Sequence, residues 1–191
     1  MIDLNGKIAL VIGGGGGIGL EIAKALATEG CKVALADYDE ELLKKAEKSE
    51  DGKTKFAWKT CDITNRTQVA ELFKWLGKEI GSIDILVNCA GINVVNRMMA
   101  NVEPNDFDRI MSVNTTGAFN CIYAAIPEMR KKKSGLIINI VSIAGKHTIL
   151  LAGLPYVVSK FATDAMGRFI GIEERENGIN VRYQCNKYLS R

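Results

Sequence analysis

The pentapeptide YVVSK places a phenol, Tyr156, and an ammonium, Lys160, four residues apart. On a helix that spacing puts both side chains on one face. A tyrosine titrates near pH 10 in water, so it serves as a general base only if its surroundings make it more acidic. An ammonium about 5 Å away, at an effective dielectric near 20, favours the phenolate by roughly 3 kcal/mol, or about two pKa units. The chemistry this pair suits is removal of a proton from a hydroxyl. Tyr-x-x-x-Lys is commonplace by itself, so its setting decides. Ser142 precedes it in IVSIAG, at the end of an apolar run, and offers a hydrogen bond to an oxygen on which charge develops. Asn114, in SVNTTGAF, falls midway along the preceding long helical pattern.

A second chemical feature lies near the start. In KIALVIGGGGGIGLEIAKALATEG, residues 7–30, five consecutive glycines separate an apolar run from an amphipathic stretch. Flexible linkers are not framed this way. Glycines between a buried strand and a helix N-terminus sit where backbone N–H groups point outward and the missing Cβ atoms let a pyrophosphate come close. Asp37 closes the next apolar run, about twenty residues on, where a carboxylate accepts both adenosine ribose hydroxyls and repels a 2′-phosphate. It is also placed to cap the helix that starts near Asp39.

These groups need a frame, and the hydropathy pattern supplies one. Short apolar runs at 7–12, 32–36, 55–60, 84–88, 136–142 and 179–183 read as strands, most too continuously apolar to be half-exposed. Helical patterns at 18–29, 39–49, 65–80, 105–132 and 156–176 alternate with them. Alternation of this kind predicts right-handed crossovers and a doubly wound parallel α/β sheet.

The 191 residues suit one domain, and a net charge of +3 gives no basic stripe for nucleic acid. The cluster RKKK, Arg130 to Lys133, reads as a solvated helix end at the negative pole of the dipole. Five scattered cysteines and a single histidine, His147, offer no metal-ligand spacing and read as free thiols in a reducing compartment. The N-terminus has no leader pattern, and no apolar run approaches membrane-spanning length. A cytoplasmic location is expected.

Gly13, Gly17 and Gly19 form G-x-x-x-G-x-G. Together with Asn114, Ser142, Tyr156 and Lys160 in that order and setting, they make residues 5 to about 182 resemble the short-chain dehydrogenase/reductase family. The resemblance implies a single Rossmann-type domain over residues 1–182 and hydride transfer between NAD and a secondary alcohol or ketone. It implies an Asn–Ser–Tyr–Lys tetrad, in which Lys160 also holds the ribose hydroxyls and Asn114 holds a water linking Lys160 to solvent. The cofactor site it implies comprises Gly13, Gly17, Ile18, Gly19, Asp37, Asp62 and Ile63 of CDIT, and Asn88, Ala90 and Gly91 of NCAG, with Tyr156 and Lys160. Asp62 is expected at the adenine ring. NAD is expected over NADP because Asp37 is present and Gly16 stands where NADP users often carry a basic residue. A homodimer through the helices at 105–132 and 156–176 is also implied.

The chain departs from the family pattern in places. Ile12 replaces the usual threonine before the glycines, Cys89 replaces the second asparagine of the Asn-Asn-Ala-Gly motif, and Ser142 and Tyr156 stand fourteen apart, one more than usual. His147, between them, reads as a loop or pocket-rim residue. Beyond GINVR the family runs through a Pro-Gly turn, a substrate-binding segment, a further helix and a seventh strand, whereas this chain reads YQCNKYLSR. The expectation is a sheet lacking the usual last strand and lid, followed by a divergent polar tail over 183–191. Two functions fit: an NAD-dependent oxidoreductase, or a non-catalytic dinucleotide-binding or dimerising variant.

Overall fold

The computed structural model describes residues 3–47 and 55–186, the last three by backbone alone. Six strands, β1 (Ile8–Ile12), β2 (Lys32–Asp37), β3 (Ala57–Thr60), β4 (Ile85–Asn88), β5 (Gly135–Ser142) and β6 (Ile179–Asn186), form one parallel sheet in the order β3-β2-β1-β4-β5-β6. The connecting helices are α1 (Gly17–Thr28), α2 (Glu40–Glu47), α3 (Arg66–Glu79), α4 (Pro104–Met111), α5 (Ala118–Lys132) and α6 (Leu154–Glu173). This is the expected doubly wound α/β fold. The order reverses between β1 and β4, and ligands of such sheets bind outside the strands' carboxyl ends at that reversal.

Alternation along the strands distributes the core. Leu10 and Ile12 of β1 join a cluster with Leu72 and Leu76 of α3, Ile122 and Met129 of α5, and Ile170 of α6. Ala9 and Val11 face the other way, onto Ala23 of α1 and Leu43 of α2. Both faces of β1 are therefore dry, which is why its run is continuously apolar. On the α1/α2 side Leu136, Ile138 and Ile140 of β5 are only partly buried. No helix among the described residues is long and apolar enough to cross a membrane.

Several boundaries differ from the sequence reading. The single helix expected over 105–132 is α4 and α5 joined by a π-helical turn, Ser112–Gly117, which hydropathy periodicity does not reveal. The final strand runs beyond 183: Gln184, Cys185 and Asn186 pair in register with Ile140, Val141 and Ser142. Parallel pairing uses backbone N–H and C=O groups, so a polar sequence can continue a strand. The first part of the expected polar tail thus belongs to the sheet, while 187–191 lie outside the described residues, as do 48 and 49 of the second predicted helix. The last helix starts earlier, with Pro155 in its first turn.

The basic cluster ending α5 is paired, not merely solvated. Lys131 meets Glu128 at 2.6 Å, Lys132 meets Asp84 at 2.5 Å, and Lys133 donates to Asn177 at 2.9 Å. Arg130 grips Glu174 with two nitrogens, Nε donating at 2.9 Å. The Glu174 side chain is fully buried at the turn before β6 and also accepts from Asn177. The Arg130 guanidinium holds its carboxyl below the ordinary range against the opposing effect of burial, with Asn177 helping.

A carboxylate whose pKa is depressed by folding contributes stability above its unfolded pKa, lost as pH falls through the folded value. Glu174→Gln is therefore expected to melt below the parent at neutral pH. The gap should close as the pH drops beneath the ordinary value of 4.5, a trend that melts across this range will measure.

Candidate active site

Where β1 ends, the chain turns sharply. The N–H groups of Gly13 and Gly14 donate to Ala36 C=O at 2.8 and 3.1 Å, so the turn is anchored on β2. Gly13 has φ +75°, and a Cβ there would lie 2.7 Å from the Ala90 nitrogen. A Cβ on Gly19 would overlap the Gly13 carbonyl oxygen. These two glycines allow backbone to pass backbone. Gly17, with φ +51°, has nothing within 4 Å of its absent Cβ. No side chain caps α1, whose N-terminus opens beside a cleft of about 760 Å³ lined by Gly13, Gly16, Ile18 and Gly19. Open N–H groups at the positive end of a helix dipole suit an anion.

Asp37 reaches the cleft from the end of β2. Its carboxylate accepts from Gly15 N–H at 3.0 Å and Asp39 N–H at 3.2 Å, which braces the glycine turn. The cap of α2 is Asp39, whose Oδ1 accepts from Glu41 and Leu42. Asp37 is thus free of the capping role it was also placed to fill. Asp62 and Ile63 form the wall beyond β3. Asp62 Oδ1 accepts from the Thr64 N–H and hydroxyl at 2.9 and 2.7 Å, and Asn120 on α5 donates to the Ile63 carbonyl at 2.9 Å.

Beyond β4 the wall is Cys89, Ala90 and Gly91. Asn88, expected in the cofactor site, points elsewhere. It is buried within the sheet and donates to Asn139, its register partner on β5, at 2.9 Å. The alternation of side chains along β4 accounts for this. Burial pushes the Cys89 thiol up to about 11, against the lowering effect of Lys160, so it stays protonated at neutral pH.

Ser142, at the end of β5, and Tyr156 and Lys160 of α6 line the opposite wall of the same cleft. Ser142 Oγ accepts from Ala144 N–H at 3.1 Å and shares a hydrogen bond with Tyr156. Lys160 is 4% exposed; its Nζ donates to the Ile140 carbonyl at 3.1 Å and lies 5.5 Å from the Tyr156 ring centre. The buried face of α6 thus carries Ser159, Lys160 and Thr163 where apolar residues would pack more cheaply, a local conflict of the kind that marks functional sites.

The electrostatic expectation for Tyr156 needs correction. Burial pushes its phenol above the ordinary range, with the Ser142 hydrogen bond pulling the other way. Lys160 is itself pushed down by burial. Desolvation, which penalises either charged form, outweighs the mutual attraction expected at a uniform dielectric.

Asn114 does not line the cleft. It is buried in the π-helical turn and bonds to both the N–H and the C=O of Ile92, at 2.8 and 3.0 Å. His147 is exposed and away from the cleft wall. Sequence reasoning missed Tyr38, Thr64, Arg109, Ser112 and Val113 on the cleft wall. The last three share the helical segment of Asn114 and were in principle legible from that spacing; the Ile140 carbonyl, a backbone group, left no signal.

The family model for short chain dehydrogenases matches residues 7–189. The chain belongs to this family. D-beta-hydroxybutyrate dehydrogenase of Cupriavidus necator is 32% identical over 185 residues, which are 95% of this chain and 70% of that protein. Secoisolariciresinol dehydrogenase of Forsythia intermedia is 35% identical, over 93% of this chain and 64% of that one, and the glycine betaine reductase ATRR of Emericella nidulans is 36% identical but only 14% covered. Among solved structures, NAD+-bound xylitol dehydrogenase superposes with a TM-score of 0.90 at 32% identity, over 95% of this chain and 70% of its own. The chain therefore spans between a seventh and about seven-tenths of the length of these relatives.

The two kinds of glycine should respond differently. Gly19→Ala forces backbone apart and is expected to cost more than about 2 kcal/mol, whereas Gly17→Ala costs about 1 kcal/mol for its left-handed conformation alone. Urea unfolding of both variants measures the order.

Proposed function

We propose that this short-chain dehydrogenase moves a hydride between NAD(H) and a secondary alcohol or ketone, with Tyr156 as the general acid and base. One observation carries the reading: Ser142, Tyr156 and Lys160 share a single cleft with the glycine turn and Asp37. The residues present fit a dinucleotide. The uncapped N-terminus of α1 suits the pyrophosphate, the Asp37 carboxylate suits ribose hydroxyls, and Asp62 and Ile63 border the space for an adenine. Ala90 and Gly91 leave room beside it. The NAD+-bound xylitol dehydrogenase that superposes on the chain agrees with a nicotinamide cofactor.

Bound NAD would supply the hydride acceptor and a positive charge on the nicotinamide. The chain's own residues manage the proton. In oxidation, Tyr156 takes the hydroxyl proton as the C–H bond gives up its hydride; in reduction it returns that proton to the carbonyl oxygen. Ser142 donates to the same oxygen as charge changes on it. Lys160, anchored on Ile140, keeps a cation beside the phenol and is placed to hold ribose hydroxyls. Asn114, tied to Ile92, supports a water that links Lys160 to solvent. Because burial favours the neutral phenol, alcohol oxidation is expected to accelerate as pH rises.

The same reading includes a homodimer through α5 and α6, whose Tyr123, Phe169 and Ile172 are largely exposed apolar side chains. The cysteines Cys31, Cys61, Cys89 and Cys121 are free thiols, which suits the reducing cytoplasm.

Tyr156→Phe is expected to lower oxidation of D-beta-hydroxybutyrate or xylitol by about 10²-fold or more, with NAD affinity nearly unchanged; turnover at the parent rate would refute the mechanism. In fluorescence titrations NAD is expected to bind more tightly than NADP. Asp37→Ser should narrow that preference by weakening NAD and relieving repulsion of the 2′-phosphate. Tighter NADP binding by the parent would overturn the assignment.

A further inference from the structure

Asn114 makes three side-chain hydrogen bonds, and they reach two different parts of the fold. Two go to Ile92, beyond β4. The third runs from Asn114 Nδ2 to Ser159 Oγ on α6, at 3.0 Å. Ser159 stands three residues after Tyr156 and one before Lys160, and it is fully buried. Its hydroxyl donates to the Tyr156 carbonyl at 2.8 Å. A hydroxyl carries one hydrogen, so with that hydrogen committed Oγ meets Asn114 only as an acceptor.

The bond therefore has a set polarity. It holds Nδ2 against α6 and leaves Oδ1 toward Gly91. There, Lys160 Nζ and Asn114 Oδ1 lie 3.3 and 3.5 Å from the point a Cβ on Gly91 would occupy. Two further hydroxyls brace the same crossing. Thr163 Oγ1 lies 3.1 Å from the Asn114 carbonyl oxygen and 2.8 Å from that of Ser159, which Thr115 Oγ1 also approaches at 3.3 Å.

We propose that Ser159 is a positioning residue: by accepting from Asn114 it ties the π-helical turn to the helix that carries Tyr156 and Lys160, and so sets the separation of Asn114 Oδ1 from Lys160 Nζ. The kinetic consequence rests on the tetrad reading above; the geometric one does not. Ser159 touches none of the reacting atoms and acts through Asn114.

Ser159→Ala deletes one oxygen and installs the best helix former, so the fold should persist. In the protein alone, NMR hydrogen exchange of the Asn114 side-chain amide is expected to quicken about ten-fold, while the backbone amides of β1 and β4 keep their parent rates. In turnover with NAD and D-beta-hydroxybutyrate or xylitol, kcat is expected to fall about ten-fold with both KM values within about two-fold. The Asn114→Ala/Ser159→Ala double variant should be no slower than Asn114→Ala alone, since both remove one tie. Unchanged exchange at Asn114, or a kinetic loss that adds to that of Asn114→Ala, would overturn the proposal. Tyr156→Phe in the same assay tests the tetrad separately. If that variant kept the parent rate, the tetrad reading would fail while the exchange measurement still decided the tie.

Discussion

The site depends on how closely three stretches of backbone approach at the carboxyl edge of the sheet. The turn after β1 runs against Ala90 beyond β4, and the first turn of α1 runs against the turn itself, at separations that exclude a Cβ at Gly13 and Gly19. The approach places the N-terminus of α1 directly over the reversal in strand order, where no neighbouring strand blocks it. Everything else in the cleft is arranged around that point. Asp37 reinforces it by accepting from Gly15, so the carboxylate that faces the cleft also holds the loop in shape.

Across the cleft the problem is different, because charges must be kept in a dry place. Lys160 is nearly buried and has one anchoring carbonyl, Ile140, and burial weakens its hold on its proton. Tyr156 is held neutral by the same desolvation, with Ser142 as its opposing influence. A fixed ammonium beside a protonated phenol is a poised arrangement: an added positive charge in the cleft tips the phenol toward ionisation, because desolvated charges interact more strongly than solvated ones.

Between the two walls, a π-helical turn interrupts what hydropathy reads as one long helix. An extra residue in a turn displaces backbone carbonyls from their usual partners, and here the Thr163 hydroxyl of α6 donates to the Asn114 carbonyl, while the Thr115 hydroxyl of the turn donates back to the Ser159 carbonyl of α6. The turn also presents Asn114 sideways, where it can reach Ile92 and Ser159 at once. At the far end of the same segment, Arg130 holds the buried carboxylate of Glu174. One helical segment thus joins the β4 loop, α6 and the approach to β6.

Much of this was readable in the linear chain because it rests on local rules. Strand and helix alternation, the glycine turn, the placement of Asp37 and the Tyr156–Lys160 spacing follow from periodicity and from backbone sterics that act over a few residues. Asn88 and the direction of the Tyr156 shift were not readable, since strand pairing decides where an amide points and the depth of burial decides which electrostatic effect prevails. The π-helical turn and the pairing of residues 184–186 likewise depend on partners distant in sequence, and backbone hydrogen bonding carries no side-chain signature. The sequence by itself determined the parts list and its order along the chain; tertiary packing alone decided which polar groups meet, because desolvation and hydrogen-bond partners exist only once distant segments touch.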